Sequence, residues 1–173
     1  TEEGLMLFRQ LGQKTGTVQA LNLIGELKRA QGDDEGAQSA YEECLMLADE
    51  VGEVRREAMM LSNLGTIAMH RADINGAKIL FRKGLIKAQE LGRDKRLIVT
   101  VTLLLAGAIA ASGEAERAVR LFGAAEALFE PTGIGLAPGD REEHERAVAS
   151  ARARLDNRTF QMCWNEGRAL TLE

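Results

Sequence analysis

The sequence predicts an all-α protein built from repeated pairs of antiparallel helices, and three observations lead to this prediction. The first is composition: Ala, Leu, Glu and Arg are plentiful, whereas aromatic residues, which favour strands, make up only 4% of the 173 residues. The second is that only two prolines occur, at positions 131 and 138, so long helices are permitted elsewhere. The third is an internal repeat with a period of 40 or 41 residues.

Glycine-containing dipeptides mark the end of each repeat unit at intervals of 40, 40 and 41 residues: Leu11-Gly12, Val51-Gly52, Leu91-Gly92 and Thr132-Gly133. Glycine suits the left-handed residue that commonly follows the last turn of a helix. The spacing therefore predicts an array over residues 1–133, with a half-unit at 1–12 and complete units at 13–52, 53–92 and 93–133. Residues 134–173 fall outside the repeat.

Each complete unit is predicted to contain two helices. The first helices are expected at 16–31, 54–71 and 95–112, and the second helices at 34–51, 74–91 and 115–130. The residues between them include Asp33, Asp73 and Ser112, whose side chains can accept hydrogen bonds from the free N–H groups of the next helix.

Small and aromatic residues recur in the second helix of each unit. Alanine stands at positions 37, 77 and 118, and Tyr41, Phe81 and Phe122 follow four residues later on the same helical face. We expect the alanines to permit close helix crossings and the aromatic rings to fill the space between units. Phe81 and Phe122 are thus predicted to be buried. Cys44 aligns with glycine and alanine in the later units, which indicates a small core residue rather than a reactive thiol.

The segment after residue 133 is predicted to form a helical hairpin that caps the array. Asp140 and Glu143 fit a capping box that opens a helix extending to about Leu155, and a last helix begins near Asn157. At the other end, Leu5, Phe8 and Leu11 are expected to form an exposed apolar face. The chain opens without an initiator Met or a secretory signal, and we expect it to begin inside a larger protein.

The repeat resembles the tetratricopeptide (TPR) family. The family pattern W-x2-L-G-x2-Y…A-x3-F is matched by Leu61-x2-Leu64-Gly65-x2-Ala68 and Ala77-x3-Phe81. Leu and Ala replace the Trp and Tyr, the usual Pro after the second helix is absent from the first two complete units, and the period is 40 rather than 34. The resemblance implies a right-handed superhelix of antiparallel helix pairs.

A second resemblance rests on residues 120–127 (RLFGAAEA), the proline-containing loop and residues 164–170 (WNEGRAL). These stretches are similar to the C-terminal end of large bacterial regulators in which an NTPase module, often with a LuxR-type helix-turn-helix, is linked to a TPR array. The resemblance implies that the array senses a partner or ligand and restrains the NTPase. Nothing in the sequence matches the NTPase or DNA-binding modules themselves.

Charge, hydropathy and cysteine usage argue against several classes of function. A net charge of −4 and a pI of about 5.4 disfavour direct nucleic-acid binding. The longest apolar run, residues 97–111, is too short to span a membrane and is expected to be a buried helix. Two distant cysteines without CxxC spacing fit a reducing cytoplasm.

No catalytic, metal or cofactor site is predicted. The run Gly12-Gln13-Lys14-Thr15-Gly16 lacks the Gly directly before Lys and the preceding strand that a phosphate loop requires, so we interpret it as a turn between units. Asp140, Glu143 and His144 could surround a metal ion, but acidic residues in a first helical turn also suit the helix dipole, and we favour that interpretation. His70 is expected at a groove or on the surface.

The face of the first helices that varies between units is the predicted partner-binding groove. Helical spacing selects these residues in the first two units: Gln19, Asn22, Glu26, Arg29, Met59, Ser62, Thr66 and Met69. In the third unit it selects Thr100, Leu103, Gly107 and Ala110. Asn22 and Arg29 are expected to be exposed. The apolar third unit could bury a hydrophobic helix, the C-terminal hairpin or a second copy of the chain, or could reflect packing of the last repeat alone.

Two functions remain open. The leading hypothesis is a non-catalytic regulatory module that binds a protein or peptide, as the C-terminal TPR region of a bacterial transcription regulator or signalling NTPase. Its candidate partners include the upstream domains of the same parent chain and a second copy of the chain. The alternative is a free-standing TPR scaffold or adaptor.

Overall fold

A computed structural model describes residues 2–92, 94–129 and 138–170, with only the backbone described at 138–140 and 143. The described residues form helices and turns and contain no strand, which confirms the all-α prediction. The helices are α1 Glu2–Gln10, α2 Lys14–Ala30, α3 Asp34–Val51, α4 Val54–His70, α5 Ile74–Glu90, α6 Lys95–Ala111, α7 Ala115–Phe129, α8 Pro138–Arg152 and α9 Asn157–Arg168.

The helices pack in pairs that follow the predicted units. The first unit pairs α2 with α3, the second α4 with α5 and the third α6 with α7, and each unit also contacts the next. In the hairpin that follows, α9 packs on α7, whereas α8 lies on α6 and α7. The ends of the six helices in these units fall within two residues of the positions predicted from the repeat.

Glycines with positive φ follow the ends of helices, and aspartate side chains cap the starts of others. Gly12, Gly52 and Gly92, the last residues of predicted units, have positive φ values of 63°, 73° and 61°. Asp33 and Asp73 accept hydrogen bonds at 2.8 and 2.9 Å from the backbone N–H groups three residues later.

Ser112 does not have the predicted capping role. Its hydroxyl donates to the carbonyl of Ile109 at 2.9 Å, because Ser112 follows directly on the last turn of α6 and satisfies a free carbonyl there. The connection to α7 turns instead at Gly113, which has a φ of 92°.

The aromatic residues of the second helices lie against glycines of the first helices. Tyr41 and Phe81 are 0% and 1% exposed, and a Cβ atom on Gly25 or Gly65 would overlap their rings. Phe81 also packs in one core cluster with Leu105 of the next unit. The prediction that Phe81 fills the space between units is therefore confirmed, and the alignment also places a glycine beneath the rings of the first two units.

Cys44 is fully buried, as predicted for a small core residue. Its thiol donates to the carbonyl of Val18 at 3.3 Å, and burial raises the pKa of Cys44 to about 11. Cys163 is also fully buried.

The predictions for the first helix and the capping hairpin need correction. Leu5 is only 8% exposed and Phe8 is half-buried, because both face α2; Leu11 alone of the three is exposed, at 60%. Helix α8 begins at Pro138, so Asp140 lies inside its first turn rather than before it, and its last residue precedes Leu155. The start of α9 at Asn157 is as predicted.

The apolar run at residues 97–111 lies within α6, which packs against α4, α5 and α7. Burial between helices explains its hydropathy. In the described parts of the chain, no helix has both the length and the apolar character needed to cross a membrane.

Candidate binding groove

A cavity of about 240 Å³ opens between α4, α6 and α8, and we call this surface the groove. Helix α4 contributes Asn63, Thr66, Met69 and His70; α6 contributes Thr100, Leu103, Leu104, Gly107 and Ala108; α8 contributes His144 and Ala147; Arg29 and Phe81 complete the lining. The first helices of the units therefore form most of its walls, as the repeat pattern predicts. Helix α8 forms the remaining wall.

Six of the residues selected from the sequence line the groove: Arg29, Thr66, Met69, Thr100, Leu103 and Gly107. Glu26 does not line the cavity but is hydrogen-bonded to Arg29 at its edge. Gln19 is exposed away from the cavity, and Met59 is half-buried in the core.

Three selected residues are more buried than the sequence suggests. Ser62 is 6% exposed, donates to the carbonyl of Ala58 at 2.8 Å, and faces Gly84 on α5. Ala110 is 4% exposed, and Asn22 is half-buried with an Oδ1 atom that has no hydrogen-bond partner. Because Ser62 is turned towards the second helix of its own unit, its neighbour Asn63 lines the groove instead.

Several lining residues were missed in the sequence. Asn63 and Leu104 are each one position after a selected residue, a rotation of about 100° around the helix. Gly84, which lies opposite Ser62, is the signal that could have corrected which face of α4 was assigned to the groove. Small residues mark close helix contacts, so Gly84 indicates that Ser62 faces α5. His144 and Ala147 could not be assigned, because nothing local places α8 beside the groove.

One end of the groove is polar and internally paired. Glu26 accepts a hydrogen bond from Asn63 at 2.9 Å and one from Arg29 at 3.1 Å, so its carboxylate joins α2 to α4. Burial, and then the negative charge of Glu26, raise the pKa of Tyr41 to about 12. His70 lies 3.2 Å from Asp34. This end can offer hydrogen bonds with little net charge.

The other end of the groove is apolar, and α8 covers part of it. A Cβ atom on Gly107 would lie 4.0 Å from the Cβ of Ala147. Of the occupants considered for the apolar third unit, the structure therefore shows the C-terminal hairpin. The ring of His144 meets Phe122 edge-on with centroids 5.2 Å apart, its Nδ1 is buried without a partner, and burial lowers the pKa of His144.

The residues that line the groove suit the binding of a ligand rather than a chemical reaction. Among the described residues, no three His, Cys, Asp or Glu side chains come together as a metal site would require, and the side chains of Asp140 and Glu143 lie outside that description. Lys14, in the run that superficially resembles a phosphate loop, begins α2 and pairs with Glu50 at 2.8 Å. A groove with a polar end and an apolar end can orient an amphipathic ligand.

No protein-family model matches the sequence, and no curated protein matches it.

Proposed function

We propose that this chain is a non-catalytic interaction module of the TPR type, whose units form a right-handed superhelix and bind a protein or peptide in the groove. One observation carries the proposal. The packing contacts repeat, with Tyr41 on Gly25 and Phe81 on Gly65, while the groove residues differ between units. A constant scaffold that presents a variable concave surface is the arrangement by which repeat proteins bind partners.

We further propose that the chain is the C-terminal TPR region of a larger cytoplasmic bacterial regulator, either a transcription regulator or a signalling NTPase. The two stretches that resemble those regulators, residues 120–127 and 164–170, pack against each other. Arg120 donates to Glu166 at 2.7 Å, and Gly123 lies against the backbone of Trp164. Their contact supports treating them as one structural feature. The partner would then be the upstream domains of the same parent chain.

Leu104→Glu tests the groove, because it places a charge on the apolar wall of the cavity. The matched control is Ile86→Glu on α5, where the side chain is already 57% exposed. With the upstream domains of the parent protein as bait, we expect Leu104→Glu to weaken capture by at least about tenfold while Ile86→Glu binds as the unaltered chain. Circular dichroism and melting temperature verify that both variants remain folded.

Two results would contradict the proposal. Equal capture of both variants and the unaltered chain would remove the groove from the interface. Hydrolysis of ATP by the isolated chain would contradict a non-catalytic role. Capture only of a second copy of the chain, still lost in Leu104→Glu, would keep the groove but replace the regulatory partner with self-association.

A further inference from the structure

Helix α8 lies over the part of the groove formed by the third unit. It turns the ring of His144 onto Phe122, and its other inward side chains are small or compact: Ala147 and Val148 are half-buried and Ala151 is fully buried. Ala147 faces Gly107, the third-unit counterpart of Thr66 in the repeat, with room between them for a methyl group. The chain therefore places its own helix on a face that stays open in the second unit.

The neighbouring helix α9 packs more closely on α7 than α8 packs on α6. A Cβ atom on Gly167 would overlap the carbonyl oxygen of Arg120, so the backbones of α9 and α7 touch. Ion pairs Arg120–Glu166 at 2.7 Å and Arg168–Glu126 at 2.8 Å add to this contact. Arg154, just after α8, donates to the carbonyl of Ala110 on α6 at 3.1 Å, but among the described side chains no ion pair joins α8 itself to α6 or α7. Helix α8 is thus the easier of the two to release.

The contact made by α8 also shows what kind of ligand fits this end of the groove. Ala147 and Ala151 are four residues apart and share one helical face, so small side chains meet Gly107 and the core beneath it. Beside α8, the cavity continues along Thr66 and Met69. An amphipathic helix laid into such a groove anchors itself through side chains three and four residues apart.

We propose that α8 is a displaceable occupant of the groove and that the partner is an amphipathic helix with small apolar side chains four residues apart, which takes the place of α8. This inference rests on the proposed function of the groove. Its consequence is regulatory. Only molecules in which α8 has left the groove can bind the partner, so the apparent affinity falls in proportion to the fraction of such molecules.

A reversible crosslink can hold α8 in place. In the double variant Gly107→Cys with Ala147→Cys, the two Cβ positions are 4.0 Å apart, within the roughly 3.5–4.5 Å that a disulfide requires. Both native cysteines are buried, so the introduced pair should oxidise selectively. The reduced form of the same protein is its matched control.

A second variant weakens the contact. Ala151→Asp places a carboxylate at a fully buried position of α8, and Ala149→Asp makes the same change on the exposed face of that helix. The probe for all forms is a fluorescein-labelled synthetic peptide with the sequence of residues 138–155, followed by fluorescence anisotropy. The full chain is used throughout.

We expect Ala151→Asp to bind the peptide at least about tenfold more tightly than the unaltered chain, and Ala149→Asp to bind like it. The oxidised crosslinked chain should not bind, and reduction should restore binding. Equal binding by all forms, or no binding even by Ala151→Asp, overturns the proposal. If the crosslinked chain still bound the peptide and Leu104→Glu did not, the groove would remain the binding site but displacement of α8 would be rejected. If neither the crosslink nor Leu104→Glu changed peptide binding, both the groove and the displacement of α8 would be rejected.

Hydrogen exchange on the unaltered chain gives an independent test if Ala151→Asp fails to fold. Backbone amides of α8 should exchange faster than those of α7 and α9, and the oxidised crosslink should slow α8 selectively. Protection of α8 equal to that of α9 would overturn the proposal.

Discussion

The two helices of the C-terminal hairpin both rest on α7, yet they are held by different contacts. Helix α9 lies with Gly167 against the backbone of Arg120, leaving no room for even a methyl group. Helix α8 faces Gly107 with the methyl group of Ala147, which would lie 4.0 Å from a Cβ atom added to that glycine, so there is room for one. The comparison teaches that one hairpin can combine a helix packed backbone against backbone with a helix packed only through side chains, and that side-chain size at a few positions decides which is which.

The largest effect is expected from removing the ring beneath both helices. Phe122 is 1% exposed, packs with Phe160 of α9, and meets the ring of His144 on α8. Phe122→Ala should lower the free energy of unfolding by about 3–5 kcal/mol, measured by urea denaturation, and should loosen both helices. Phe81→Ala, between the second and third units, serves as the comparison and should cost a similar amount. A loss below about 1 kcal/mol in either variant would contradict the burial on which the repeat register rests.

An identical substitution on the two helix contacts should have opposite effects. Gly167→Ala forces a methyl group into the carbonyl of Arg120 and should destabilise the chain by about 1–3 kcal/mol or more. Gly107→Ala has room beside Ala147 and should stabilise it by roughly 0.5–1 kcal/mol, because alanine is the better helix former. Thermal unfolding of the two variants measures the difference, and a shift of the same sign in both would mean that α8 and α9 are packed alike.

The smallest effect is expected from pH. Burial lowers the pKa of His144 below its ordinary value of 6.5, against the opposing charges of Glu126 on α7 and Glu145 on α8. The unfolded or released state therefore takes up the proton first, so the contribution of neutral His144 is complete above pH 6.5 and declines as the pH falls below it. Amide exchange in α8 should accelerate on acidification, and His144→Gln should remove this dependence. An unchanged pH profile in that variant would assign the effect to other groups.

The helix pairs could be predicted because their signals are local and recur along the chain. Asp33 and Gly52 act through their own backbone neighbourhood, and the 40-residue spacing confirms each assignment by repetition. The groove was predicted less accurately, because the helical spacing selects Ser62 of α4 as a lining residue whereas the neighbouring Asn63 lines the groove. The choice between two adjacent positions depends on Gly84 in another helix, and spacing along a single helix does not contain that information.

The position of α8 was the least predictable feature. Ala147, Val148 and Ala151 give it one buried face, but such small side chains would suit several partners. Ala147 and Gly107, which face each other, are 40 positions apart in sequence and belong to no common repeat. Only the folded chain brings them together.

Packing of each helix on its near neighbours in the chain has a kinetic consequence. Contacts between residues close in sequence require little loop closure before they form, so folding should be rapid for a chain of this size. Pulled by its two ends in an optical trap, the chain should come apart in several small steps rather than one cooperative rupture, since each unit is held mainly by the units beside it. The order of those steps would report the relative strength of the contacts between neighbouring units.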